Sequence, residues 1–299
     1  MKKIVAVLLL GCLLLPQTAF AGAWTLPESH LWVEYYTKAF WAKEDFGPEG
    51  DKRRFVRDAR SWGWAMIPKF EYGVFDRLTL LGGITYKEEK YKEYARPPGW
   101  GPFSVKNHGV TDVDFGARFR ILENPVVLSG QVKASYYMPY DALALEDRAE
   151  LPEIGKRNDA LEFRVLVGKY FNTEIPFYIG AETGYRFKNR NVCNDIPFFI
   201  EFGFWPVDWL LIKTEIDGYW SHDGTGVGEE KYAIWRIGPT IHLLTIFNHL
   251  TGNDKKFTPS GQITKEENSL DFEVQYGNTF WGRNTVARQE LIAKVSSQF

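Results

Sequence analysis

Val286-Ala287-Arg288-Gln289-Glu290-Leu291-Ile292-Ala293-Lys294-Val295-Ser296-Ser297-Gln298-Phe299, the last stretch of the chain, decides the fold. In an extended strand successive side chains point to opposite faces. Phe299, Ser297, Val295, Ala293 and Leu291 therefore share one weakly apolar face. Gln298, Ser296, Lys294, Ile292, Glu290 and Arg288 share a charged one. A strand this long that ends on an aromatic residue reads either as the closing strand of a β-barrel or as an edge strand of a soluble sheet.

The same period of two recurs upstream. Apolar or small residues alternate with polar ones over 33–41, 64–72, 78–87, 112–121, 128–136 and 161–167, and again over 177–186, 198–204, 212–217, 235–243 and 270–276. With the terminal segment this makes about twelve strands. Several reach the roughly 9–11 residues that a tilted transmembrane strand needs. Short turns at Gly73–Arg77, Glu123–Pro125, Asn172–Pro176 and Pro206–Asp208 alternate with long polar connections at Glu44–Arg60, Glu88–Gly109, Met138–Asp159, Lys188–Asp195 and Ser221–Lys231. Even strand number and alternating loop length predict an all-β, antiparallel transmembrane β-barrel with long outer loops and short periplasmic turns. Thr245–Asn268 is long where a short turn is due, so it is either a periplasmic elaboration or a miscounted strand pair. Pro68 cannot donate to a ladder and implies a bulge or a locally unpaired site. Leu143–Asp147 has the composition of a helical turn.

The other end of the chain agrees. Lys2 and Lys3, the apolar run Ile4–Leu15 and the Ala19-Phe20-Ala21 site read as a secretory signal over 1–21, cleaved after Ala21. Residues 22–299 form one barrel domain, located in the outer membrane. Cys12 leaves with the signal and Cys193 remains alone, so no intrachain disulfide can staple the mature chain. Its net charge of −2 becomes −4 once Lys2 and Lys3 leave, which speaks against nucleic acid as a partner. Aromatics at 16% suit a membrane girdle.

Four stretches carry a family resemblance: Gly22-Ala23-Trp24-Thr25, Glu71–Thr79, the Asp-rich Gly109–Arg120, and Trp281-Gly282-Arg283-Asn284-Thr285. They resemble outer-membrane barrels of the kind associated with phenol meta-degradation. The similarity is scattered over the mature chain and marks turns and strands. It implies an outer-membrane location and passage of small organic molecules, and it supplies no catalytic residue. The aromatic ending of the chain also resembles that of outer-membrane barrels, and the resemblance implies that Phe299 is read by the barrel-insertion machinery.

A Lys or Arg facing lipid at mid-depth costs roughly 2–4 kcal/mol, so the charged faces must line the lumen. The acidic candidates are Glu34, Glu71, Asp112 and Asp114 in the first half, and Glu162, Glu182, Glu201, Glu215, Asp217 and Glu273 in the second. The basic ones are Lys38, Arg118, Arg120 and Lys133, then Arg164, Arg186, Lys213 and Arg236. The signs balance, unlike a selectivity ring of one sign. The lumen therefore reads either as a narrow polar path or as a filled network of ion pairs. Asp112/Asp114 and Glu215/Asp217 are carboxylate pairs on one face, but nearby cations make pairing the simpler reading. Ser221-His222-Asp223 contains triad residue types at positions that cannot act as nucleophile, base and orienter. The histidines show no metal-ligand spacing. No catalytic residue, cofactor or metal is expected. The expected function is a passive channel or facilitator for a small aromatic or amphipathic solute, with outer-membrane lipid around it. The alternative is a closed structural barrel that meets a partner through its outer loops.

Overall fold

A computed structural model of the chain describes residues 22–95, 97–101, 103–138, 152, 154–155, 158–189, 193–222, 229–251 and 269–299. The signal expected over 1–21 and the helical turn expected at 143–147 lie outside these residues. Twelve antiparallel strands close into a barrel. The wall begins with β1 (Leu31–Ala42). Two short outer strands follow, β2 (Glu44–Phe46) and β3 (Lys52–Arg54), before β4 (Arg60–Phe75), β5 (Leu78–Glu93) and β6 (Phe103–Leu122). Next come β7 (Val127–Tyr137), β8 (Ala160–Phe171), β9 (Phe177–Lys188), β10 (Asn194–Val207), β11 (Leu210–His222) and β12 (Lys231–His242). Helix α1 (Leu243–Thr251), β13 (Ser269–Arg283), the short β14 (Thr285–Val286) and β15 (Gln289–Gln298) complete the chain.

Closure runs through the first and last strands, which pair from Trp32↔Gln298 to Trp41↔Gln289. Leu31 and Phe299 exchange backbone hydrogen bonds of 3.1 and 2.8 Å at the foot of that seam. No edge is left open, which is what a strand wall in lipid requires. The outward residues of the lower and middle wall are apolar and accessible, among them Val33, Phe70, Leu80, Ile84, Phe115 and Val165.

The structure corrects several boundaries. β5 and β6 run on to Glu93 and from Phe103, through most of the segment read as a loop at 88–109. Ladder pairing needs only backbone groups, so it continues where the side chains cease to alternate in polarity. The loop read at 44–60 contains β2 and β3, which pair with β14 as a small outer sheet. The closing strand starts at Gln289; Val286 belongs to that sheet. On this sheet Arg53 hydrogen-bonds Asp51 and, with its opposite charge, holds that carboxyl below its usual range. α1 occupies the start of the long 245–268 connection and the barrel count stays at twelve. Residues 252–268 lie outside the described residues. The β4–β5 ladder is interrupted at Pro68, between Met66↔Tyr86 and Lys69↔Gly83.

Candidate functional site: the barrel lumen

Strand alternation turns the polar face of every wall strand inward, and the inward charges are tied across the curved wall. Lys213 on β11 lies 2.8 Å from Glu273 on β13, 3.5 Å from Glu215 and 3.6 Å from Glu201. Lys294 on β15 reaches Glu273 at 2.7 Å and Glu215 at 3.8 Å. Arg236 on β12 donates to Glu290 at 2.6 Å and to Asp217 at 3.1 Å. Gln275 donates to Glu215 at 2.8 Å, and the Tyr178 hydroxyl donates to Glu201 at 2.6 Å. Four of these contacts, Lys213–Glu273, Lys294–Glu215, Arg236–Glu290 and Gln275–Glu215, reach past an intervening strand, so those side chains span the concave surface and brace it. Buried charges are tolerable only when paired and hydrogen-bonded in this way.

A second group centres on Glu162, buried between Arg164 and Arg186, each at 2.6 Å. Arg164 continues to Glu182 at 2.9 Å, and Arg186 to Asp195 at 3.3 Å. On the facing wall the pairs are sparser. Glu34 meets Lys69 at 3.0 Å, Lys38 meets Glu290 at 3.4 Å, and Lys133 meets Asp114 at 3.7 Å. Asp112 accepts from Thr111 at 2.6 Å. Arg118 makes two 3.2 Å contacts to Glu71. Arg120 stands apart from these clusters. It pairs with Glu123 at 3.7 Å in the β6–β7 turn, at the periplasmic rim.

Two spaces open inside the barrel. The outer one, about 840 Å³, is lined by Phe46, Phe55 and Tyr91 beside Lys87, Glu89 and Arg288. Glu89 accepts from Ser61 at 2.6 Å and pairs with Lys87 at 2.6 Å and Arg288 at 3.2 Å. The ring of Phe40 lies 5.1 Å from the Lys87 ammonium and 4.9 Å from the Arg288 guanidinium, a cation–π arrangement. The inner space, about 460 Å³, is lined by the ion-pair wall, with Tyr36, Phe199 and Ile292 between the charges. The two spaces abut on β5 and β6, where Lys87 and Asp112 line the outer one and the next inward residues, Thr85 and Asp114, the inner.

The floor is the unexpected part. Residues Ala23, Trp24, Thr25 and Leu26, read from sequence as a mere lead into β1, are buried. They cross the inside of the barrel at its periplasmic end. Trp24 packs with Leu166, Tyr178, Trp205 and Leu211 in one apolar cluster. Its ring meets Tyr178 edge-on at 6.1 Å. Polar contacts tie the strap to the wall: Arg118 donates to the Trp24 carbonyl at 2.9 Å, Ser129 donates to the Ala23 carbonyl, and Thr25 donates to the Asp76 carbonyl at 2.7 Å. The Thr79 hydroxyl accepts from the Leu26 amide at 2.8 Å. Gly168 makes room for the ring, since a Cβ there would lie 2.6 Å from Trp24. Below the cluster Trp205 donates to His242 Nε2 at 3.1 Å. The proton of His242 is therefore on Nδ1, which donates to the buried Asp271 at 2.6 Å.

The sequence did carry a signal for this floor. Leu166 and Gly168 on β8 and Leu211 on β11 interrupt an inward face that is otherwise charged, and an apolar gap in a polar lining asks for an apolar occupant. Among the described residues no group of three or more His, Cys, Asp or Glu is placed to hold a metal. Ser221 is buried and donates to Asp195 at 2.9 Å, on the face opposite its neighbour His222. Trp100 is exposed, with the Arg57 guanidinium 4.8 Å above its ring.

No family model matches this sequence, and no curated protein matches it. In structure the chain is similar to the COG4313 outer membrane channel from Pseudomonas putida F1, with a TM-score of 0.62 at 12% identity, over 95% of this chain and 100% of that one. The beta domain of the Bordetella autotransporter BrkA overlaps with a TM-score of 0.42 at 10% identity, over 91% and 100%. The Pseudomonas putida toluene transporter TodX does so at 0.39 and 8%, over 91% and 90%. The last two overlaps are too loose to carry an argument. The first establishes the fold, a closed barrel of outer-membrane type.

Proposed function

We propose that this chain is an outer-membrane facilitator for small aromatic or amphipathic solutes, with residues 22–27 forming its periplasmic constriction. One observation carries the reading: the lumen ends on an apolar, aromatic floor (Trp24, Tyr178, Trp205, Leu166, Leu211) instead of on more ion pairs. A barrel that needed only to be filled had charged partners at hand throughout its wall. An aromatic floor beneath spaces of 840 and 460 Å³ instead offers a half-apolar solute a stacking surface and polar contacts together. The resemblance to barrels associated with phenol degradation, and the likeness to an outer membrane channel, point the same way.

Planar-bilayer recording and vesicle-uptake assays test this, comparing the intact chain with one lacking residues 22–26. The intact protein is expected to pass small currents and to admit an aromatic solute such as phenol in preference to a sugar of similar size. The shortened one is expected to conduct several-fold more and to lose that preference. A second reading, a closed structural barrel, draws on the dense pairing around Lys213 and Glu162. It requires both proteins to remain silent in either assay.

A further inference from the structure

The outer surface of β4, β5 and β6 carries a feature that transport does not use. The outward residues of β5, taken from the periplasmic end, are Leu78, Leu80, Gly82, Ile84 and Tyr86, followed by Glu88, Lys90 and Lys92. At roughly 3.3 Å per residue, the apolar part matches the apolar band of about 25 Å expected of such barrels. The rings of Tyr86 and Trp64 lie 5.3 Å apart, tilted by 36°, at its upper edge, and Trp62 lies directly opposite Lys90. The patch therefore begins where hydrocarbon ends and headgroups begin.

Its cations are set against one another. Lys90 pairs with Lys106 across the β5–β6 ladder, and Arg60 pairs with Lys92 across β4–β5. Like charges directly opposite on neighbouring strands destabilise a sheet, and here two such pairs stand side by side. Among the described residues the acid paired with them is Glu88, 2.8 Å from Lys106 and 3.6 Å from Lys90. Arg60 and Lys92 share the ring of the exposed Tyr94, at 4.8 and 4.7 Å, which holds both side chains toward the outside. A second pair of opposed cations, Lys231 and Arg283 across β12–β13, differs in having an acid for each, Glu229 at 2.6 Å and Glu49 at 3.9 Å. At the corresponding outer ends of β8 and β9 the outward residues are Leu161 and Phe187.

We infer that the outward face of β4–β6, above the Trp62–Trp64–Tyr86 belt, binds the phosphates of an outer-leaflet glycolipid of the lipid A type through Arg60, Lys90, Lys92 and Lys106. A phosphorylated sugar headgroup lying at this depth supplies negative charge beyond the single carboxylate of Glu88 that Lys90 and Lys106 share. This rests on the outer-membrane placement proposed above and not on what the lumen carries.

The test is native mass spectrometry of the detergent-purified barrel, titrated with bis-phosphorylated lipid A and with the same lipid after removal of its phosphates. The intact protein is expected to retain the phosphorylated lipid and to bind the dephosphorylated one far more weakly. Each basic side chain near an anionic lipid surface is worth a factor of about five, so Lys90→Gln with Lys106→Gln is expected to weaken binding about 25-fold. Lys169→Gln, near the periplasmic end of β8, is expected to change nothing. Glu88→Gln removes the acid that pairs with Lys90 and Lys106 and is expected to tighten binding, which keeps the test decisive should the double variant fold poorly. Equal retention of both lipids, or no change in the double and Glu88 variants, overturns the inference. A heat-dependent gel shift on the same samples separates this from failure of the membrane reading. A barrel that inserts and shifts but ignores phosphate sinks the lipid site alone, whereas a chain that never inserts sinks both.

Discussion

The floor of the lumen and its ion-paired wall are both buried, and both face inward, yet they are held in different ways. Lys213, Glu215, Glu273 and Lys294 sit on strands that are themselves part of the closed ladder, so each pair is fastened at both ends to the barrel. The Trp24 strap joins the ladder through Pro27 and the start of β1, and is otherwise held by a few hydrogen bonds and one ring packed among apolar neighbours. The contrast teaches that burial alone does not make a lumen element permanent. A wall charge can leave only if the barrel unfolds. The strap can leave by local opening, at the cost of its own contacts.

Substitutions can break or sharpen that contrast. Lys213→Met leaves Glu201, Glu215 and Glu273 without their shared cation. Removing one partner of a buried network costs about 3–5 kcal/mol. Urea unfolding in vesicles, followed by tryptophan fluorescence, is expected to show that loss with single-channel conductance nearly unchanged. A conductance rise equal to that of the strap deletion would erase the distinction between wall and floor.

Arg118→Ala acts on the joint between the two regions, because Arg118 holds both Glu71 and the Trp24 carbonyl. Hydrogen bonds to a charged group are worth about 1.5–3 kcal/mol, and here the loss is expected mainly in the strap. Hydrogen exchange at Ala23–Leu26 should accelerate and conductance should rise, while the unfolding midpoint of the wall moves little. Gly168→Val pushes on the ring directly. Overpacking a filled site costs about 1–3 kcal/mol, and the strap is the part able to yield. Greater acrylamide quenching of Trp24, read against the same substitution in a Trp24→Phe background, would report its displacement. The smallest effect belongs to Lys69→Ala. Its side chain is 46% exposed beside Glu34, and such pairs contribute about 0–1 kcal/mol. Neither stability nor conductance is expected to change measurably, and a large change would mean that the sparse wall is as tightly coupled as the dense one.

Legibility followed the range of the interactions. The closing strand was readable at Glu290, Ile292, Lys294 and Ser296 because strand alternation is a property of consecutive residues. The boundaries at Glu93 and Phe103 were not, because above the membrane both faces of a strand are wetted and polarity stops reporting on direction. Arg120 matched the inward pattern, yet it lies at the rim, since alternation assigns a face and says nothing about depth. Trp24 lies in a stretch that carries a family likeness, but its place in the lumen is not written in the residues around it. Nothing within its own neighbourhood names Leu166 or Trp205 as partners.

The sequence by itself determined that this chain forms a barrel of about twelve strands and which face of each strand points outward. A single misplaced charge in hydrocarbon is costly enough to write the pattern into every strand. Only the tertiary structure decided which inward charges meet, and that residues 22–27 turn into the lumen. Those contacts join Arg118 to Trp24 across 94 residues and Gln275 to Glu215 across 60, and they exist only once closure has brought distant strands onto one concave surface.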